Sequence, residues 1–130
     1  MTTWKLPALF LMCVLGLNAA SSAIAQDQSI TPEKKAQLEK QALQGSGEAA
    51  LEVAMFHGTR DTKLMEYWTW IGAENGDPTC QHNYAYLLRS RRDSYSQMRA
   101  VYWMKKAAAN KSKLAQEELK EMLREERKER

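Results

Sequence analysis

Few side chains in this sequence have chemistry to offer: Cys80, two histidines, His57 and His82, and scattered serines and carboxylates. A nucleophilic site needs its serine or cysteine beside a histidine that a third group orients. No serine stands with a histidine and an acid at a recognisable motif spacing, and there is no glycine-rich phosphate loop. His57, His82, Cys80 and the carboxylates fall at no familiar metal-ligand spacing. Cys80 lies on the apolar stripe of a helix, where a free cysteine is packed and inert. His57 precedes Gly58 at a helix end, a place where its ring is expected to satisfy terminal carbonyls. The tryptophans and methionines recur at helical spacing and read as core. The expectation is a non-enzymatic protein with no catalytic residue, no metal and no cofactor.

The elements that hold these residues read as helices throughout. Thr31-Pro32-Glu33 combines a capping hydroxyl, a first-turn proline and a first-turn acid, the sequence signature of a helix start. Gly45, Gly58, Gly76, Asp77-Pro78 and the polar stretch 89–96 mark breaks. Helices are expected near 32–44, 46–57, 62–74, 78–89, 96–109 and 112–127. No segment alternates apolar and polar residues for long enough to suggest a strand.

The first 25 residues read differently. One basic residue, Lys5, precedes the apolar run Leu6 to Leu17, and small residues lead to Ala23-Ile24-Ala25. A charged start, an apolar run of about 7–15 residues and an A-x-A site define a secretory signal peptide. The run is shorter than the roughly 20 residues that span a bilayer. Residues 1–25 are therefore expected to be cleaved, leaving 26–130 as one domain exported to the periplasm and not stably inserted in the membrane. Losing Lys5 takes the 19 basic residues to 18 against 16 acidic ones, a net charge of +2. That balance, with acids and bases mixed through the C-terminal stretch, suggests no nucleic-acid partner. Cys80 is then the single cysteine, so no internal disulfide braces the domain.

Alignment of the helices on one another exposes a repeat. With Gly45, Gly76 and Lys111 in register, Ala49, Val53 and Ala54 match Cys80, Tyr84 and Ala85, and Ala115 and Leu119 continue the series. His57, Leu88 and Leu123 share one position. Trp68 matches Trp103, and Gly72-Ala73 matches Ala107-Ala108. The spacing is 31 residues and then 35, with the four extra residues expected in the 89–97 loop. A two-helix unit of this period marks a helical solenoid, in which small residues let helices approach and tryptophans fill the space between them.

The segments Gly76-Asp77…Cys80-Gln81…Tyr84-Ala85 and Arg99-Ala100…Trp103…Lys106-Ala107-Ala108 resemble the Sel-one-like repeat, a relative of the tetratricopeptide repeat. Lys113-Leu114-Ala115-Gln116…Leu119 repeats its first half, and the resemblance covers about residues 45–123. Ala54 and Ala85 depart from it where glycine is preferred, and Ile71 where lysine is. The resemblance implies an all-α fold: a short right-handed α/α solenoid of about two repeats with flanking capping helices. It also implies that small exported members can act as immunity proteins for type VI secretion effectors, notably antibacterial phospholipases. Cysteine-rich relatives associated with β-lactams carry regular cysteine pairs, which this chain lacks.

At 100° per residue, the stripe opposite the core on the three equivalent helices is Leu51/Met55, His82/Tyr86 and Glu117/Glu121. Leu51 and Met55 are expected to pack on the N-terminal helix, and the two glutamates to make the last helix a soluble cap. His82 and Tyr86, with Arg89 one turn on and Arg91, Arg92 and Tyr95 in the following loop, suit a protein interface. Those six residues are the candidate partner-binding site. The expected partner is a protein, in the sharpest form a cognate secreted toxin, with an envelope scaffold or adaptor role as the alternative.

Overall fold

A computed structural model describes residues 30–128 of the chain, so the expected signal peptide lies outside the described residues. Six helices follow one another: α1 (Pro32–Leu43), α2 (Gly47–His57), α3 (Thr62–Glu74), α4 (Pro78–Arg89), α5 (Ser94–Ala109) and α6 (Lys113–Lys128). Among the described residues there is no strand. The fold is all-α and solenoid-like: each helix packs chiefly on its sequence neighbours, with lighter contact between α1 and α3 and between α2 and α4.

The repeat register survives at the level of individual hydrogen bonds. Gly45, Gly76 and Lys111 all adopt positive φ, at 106°, 89° and 68°. At each, the helix ends in a Schellman motif, the amide of the next residue donating to the carbonyl five residues back. These bonds are Ser46 N to Gln41 O, Asp77 N to Gly72 O and Ser112 N to Ala107 O, at 3.0, 3.0 and 3.1 Å. The same residue then caps the next helix. Ser46 Oγ accepts from Ala49 N, Asp77 Oδ1 from Cys80 N and Ser112 Oγ from Ala115 N, at 3.1, 2.7 and 3.2 Å. One residue thus closes one helix and opens another, which makes a tight antiparallel hairpin. Side chains repeat as well: Gln81 Nε2 donates to Ala73 O, and Gln116 Nε2 to Ala108 O, each at 3.1 Å.

Lys111 is the copy in which a lysine does a glycine's work. A side chain in the left-handed region costs about 1–2 kcal/mol, against about 0.5–1 kcal/mol of extra chain entropy lost by glycine. Lys111→Gly is therefore expected to stabilise the domain by about 0.5–1 kcal/mol, read as a higher urea midpoint. A lower midpoint would mean that the lysine side chain contributes more than its backbone strain costs.

The core falls into two clusters, one for each repeat. The first joins Leu38 and Ala42 of α1 to Ala49, Ala50, Val53 and Ala54 of α2 around Trp68 of α3. The second gathers Cys80, Ala85, Leu88, Ala100, Met104, Ala107, Ala115 and Met122 around Trp103. The small residues at 49, 54, 80 and 85 are all buried, as the repeat requires. Gly72 shows how close the approach is: a Cβ there would meet the Cys80 side chain, lying 2.9 Å from its Cβ.

Four expectations from the sequence are corrected. The four extra residues of the second repeat lengthen helices and not a loop. Helix α4 has 12 residues to the 11 of α2, and α5 has 16 to the 13 of α3, leaving a four-residue connector in both repeats. The cause is Asp93, whose carboxylate accepts from Ser96 N at 2.8 Å and caps an extra first turn with Ser96 buried beneath it. The two hydrogen bonds from Ser96 hold the Asp93 carboxyl below its ordinary range. Leu51 does not pack on α1; it lies against the second cluster, and Met55 is exposed. His57 is buried, with its ring edge-on to Phe56 and Nε2 without a hydrogen-bond partner, while the Gly58 amide closes α2 on Ala54 O. Trp70, read as core, is partly exposed.

Candidate functional site

Of the six candidate residues, His82, Tyr86 and Arg89 lie on α4, Arg91 and Arg92 in the connector and Tyr95 on α5, and the structure divides them. His82 faces α6: its Nε2 lies 3.2 Å from Glu118 Oε1, without the alignment of a hydrogen bond, and its Nδ1 lies 3.3 Å from Asn83 Oδ1. Leu51, its equivalent one repeat earlier, likewise packs forward on the next unit, so this register position is an inter-repeat contact. Glu117 takes the same position on α6, where it is exposed. A carboxylate there keeps the end of the stack polar.

Arg89 also reaches α6, donating to Glu125 Oε2 at 2.9 Å. Arg91, in the α4–α5 connector, turns the other way and pairs with Glu66 on α3. Gln97 Nε2 donates to the Arg89 carbonyl at 2.9 Å and also bonds the Arg91 carbonyl, which pins the connector to α5. Three of the six side chains therefore tie elements of the chain together. Partly exposed pairs of this kind contribute about 0–1 kcal/mol each, so their role is to fix register more than to hold the fold.

Tyr86, Arg92 and Tyr95 remain exposed, the two tyrosines at 63% and 68%. Met98, read as core with the other methionines, is instead 65% exposed. A groove of about 570 Å³ runs between α5 and α6. Met98, Val101 and Met122 line it with Arg89, Lys105 and Glu125. Its α5 side is the repeat equivalent of a second, smaller cleft on α3, so the alignment could have found it had it been extended to the outer face of α3 and α5. That cleft, of about 350 Å³, is lined by Lys63, Glu66, Tyr67, Trp70 and Tyr84.

Tyr84 stands where the first repeat has the fully buried Val53. The tyrosine is half-buried, with its ring edge-on to Trp103 at 5.8 Å. Burial and then the Glu66 carboxylate push its phenol above the ordinary value, and Arg91 and Arg99 pull against that rise.

The cysteine is withdrawn from solvent. Cys80 is fully buried, and burial, followed by the adjacent Asp77 carboxylate, pushes its thiol far above the usual range. A thiol held protonated is a poor nucleophile. Among the described residues, no group of three or more His, Cys, Asp or Glu side chains is placed to hold a metal ion. No described helix is long and apolar enough to cross a membrane. No protein-family model matches the chain, and comparison with curated proteins and with solved structures gives no match either.

Proposed function

We propose that this chain is a non-enzymatic protein-binding module of the periplasm. In its most specific form it is an immunity protein that binds and neutralises an antibacterial type VI secretion toxin such as a phospholipase. The observation that supports binding is the exposure of three large side chains, Tyr86, Tyr95 and Met98, each more than three-fifths exposed, with Met98 on the lining of the α5–α6 groove. Large aromatic and methionine side chains are costly to leave in water and are enriched where proteins meet. The scaffold beneath them is held by paired caps and ion pairs, so little order is lost on association. The toxin and the periplasm rest on the resemblance to Sel-one-like repeats and on the signal-peptide reading of residues 1–25.

Co-expression tests the specific form. A strain making a periplasmic phospholipase toxin encoded beside this chain's gene should grow when the chain is exported with it. Protection should fail when Tyr86, Tyr95 and Met98 are replaced together by Ala, Ala and Asp, with the helical circular dichroism unchanged. Growth arrest despite export of the intact chain would remove the immunity reading.

A further inference from the structure

The two repeats carry the same aromatic pair in different surroundings. Tyr102 and Trp103 meet edge to face with ring centroids 5.2 Å apart and planes at 82°; Tyr67 and Trp68 meet at 5.2 Å and 77°. Over the second pair the chain lays its own cations. The Arg99 guanidinium lies 4.2 Å from the Tyr102 centroid and 5.6 Å from that of Trp103, and the Lys106 ammonium lies 5.7 Å from Tyr102.

In the first repeat the corresponding positions hold Leu64 and Ile71. Two further exchanges change the same face: Trp70 stands where the second repeat has Lys105, and Glu66 where it has Val101. An aromatic pair that is covered by cations of its own chain in one repeat is, in the other, flanked by an extra indole and a carboxylate.

These exchanges build the cleft between α3 and α4. Tyr67 and Trp70 are 42% and 38% exposed, their rings tilted at 57° with centroids 6.0 Å apart. The Trp70 indole N–H donates to Glu74 Oε1 at 3.1 Å, which fixes the ring, and Tyr84 closes the opposite side from α4. Glu66 already receives one guanidinium, that of Arg91. A carboxylate has about four lone-pair sites, so that bond leaves acceptor capacity. Lys63 is the cation on the lining, and a lysine stem lets its ammonium stay in water while the methylenes cover a ring.

We propose that this cleft receives an arginine side chain of a partner protein, its guanidinium stacked on Trp70 and Tyr67 and its charge met by Glu66. The inference rests on the protein-binding reading and adds to it the chemistry of one anchor. Aromatic faces attract cations within about 6 Å of the ring centre, and arginine, being planar, can stack and pair with a carboxylate at once. In the second repeat Arg99 makes the tyrosine part of this contact inside the chain, over Tyr102.

The test needs no partner. The ¹⁵N-labelled chain is titrated with acetyl-Gly-Arg-Gly-amide and with its citrulline counterpart, which is nearly isosteric and uncharged. The Trp70 indole N–H resonance should move with millimolar affinity for the arginine peptide and about ten-fold weaker affinity for citrulline. Trp70→Ala and Glu66→Gln should each weaken the arginine response seen at the Tyr67 amide. Unmoved Trp68 and Trp103 indole signals would show that the fold is intact in both variants. Equal response to the two peptides, or no response at Trp70, would overturn the proposal without touching the question of whether the chain has a protein partner.

Discussion

Trp103→Ala should lower the free energy of unfolding by about 3–5 kcal/mol, the usual cost of deleting a large buried aromatic. Trp103 is 3% exposed and stands at the centre of the second core cluster, against Tyr84, Ala100 and Ala107. A domain of this size has about 5–15 kcal/mol in total, so the variant sits at the edge of folding. Trp68, the equivalent centre of the first cluster at 6% exposed, should behave in the same way. Tyr86→Ala provides the contrast, because its ring is mostly in water; a change within about 0.5 kcal/mol is expected. Urea denaturation followed by circular dichroism reads all three. A loss for Tyr86→Ala as large as that for Trp103→Ala would mean that the face assigned to a partner is part of the core.

Gly72→Ala should cost about 1–3 kcal/mol, and Cys80→Ala in the same chain should recover most of that loss. The reason is the repeat. A Cβ on Gly72 would collide with the Cys80 side chain and come within 3.3 Å of Ala50 Cβ. The equivalent pair one repeat later is Ala107 and Ala115, both fully buried. The two repeats thus solve one packing problem with different divisions of volume, glycine with cysteine and alanine with alanine. The double variant converts the first solution into the second. Its advantage over Gly72→Ala alone should be at least about 1 kcal/mol, within the range measured for contacting residues. Additive losses would show that the register joining Gly72 to Ala107 and Cys80 to Ala115 does not describe the packing.

Much of this architecture was legible because its signals are local. Thr31, Asp77 and the glycines at 45 and 76 act through their own backbone and the next turn, so helix ends could be read from residue types. Lys111 could be placed among those glycines only by the repeat register, and its φ of 68° bears that placement out. The stretch 89–96 misled for an equally physical reason. Its charges and serines look like a loop, but Asp93 caps a helix there and Ser96 is buried by tertiary packing that composition does not report.

The candidate site was less legible than the fold. His82, Arg89 and Arg91 were identified as surface side chains, and each meets a carboxylate 25 to 36 positions away in sequence, on another helix. Helical periodicity says which side of a helix a residue occupies; it does not say which distant acid stands opposite. Met98 is an apolar residue on an exposed helix face, so residue type and spacing alone read it as core. Tyr86 and Tyr95, read as exposed, are so.

The most direct test of the protein-binding account is quantitative capture of partners from periplasmic extract by the tagged chain. The intact chain is run beside the variant carrying Tyr86→Ala, Tyr95→Ala and Met98→Asp. The account predicts one dominant partner at near-equal stoichiometry with the intact chain, reduced at least about ten-fold with the variant while helicity stays the same. The same partner captured equally by both chains, or several envelope proteins at low yield with no dominant species, would contradict it.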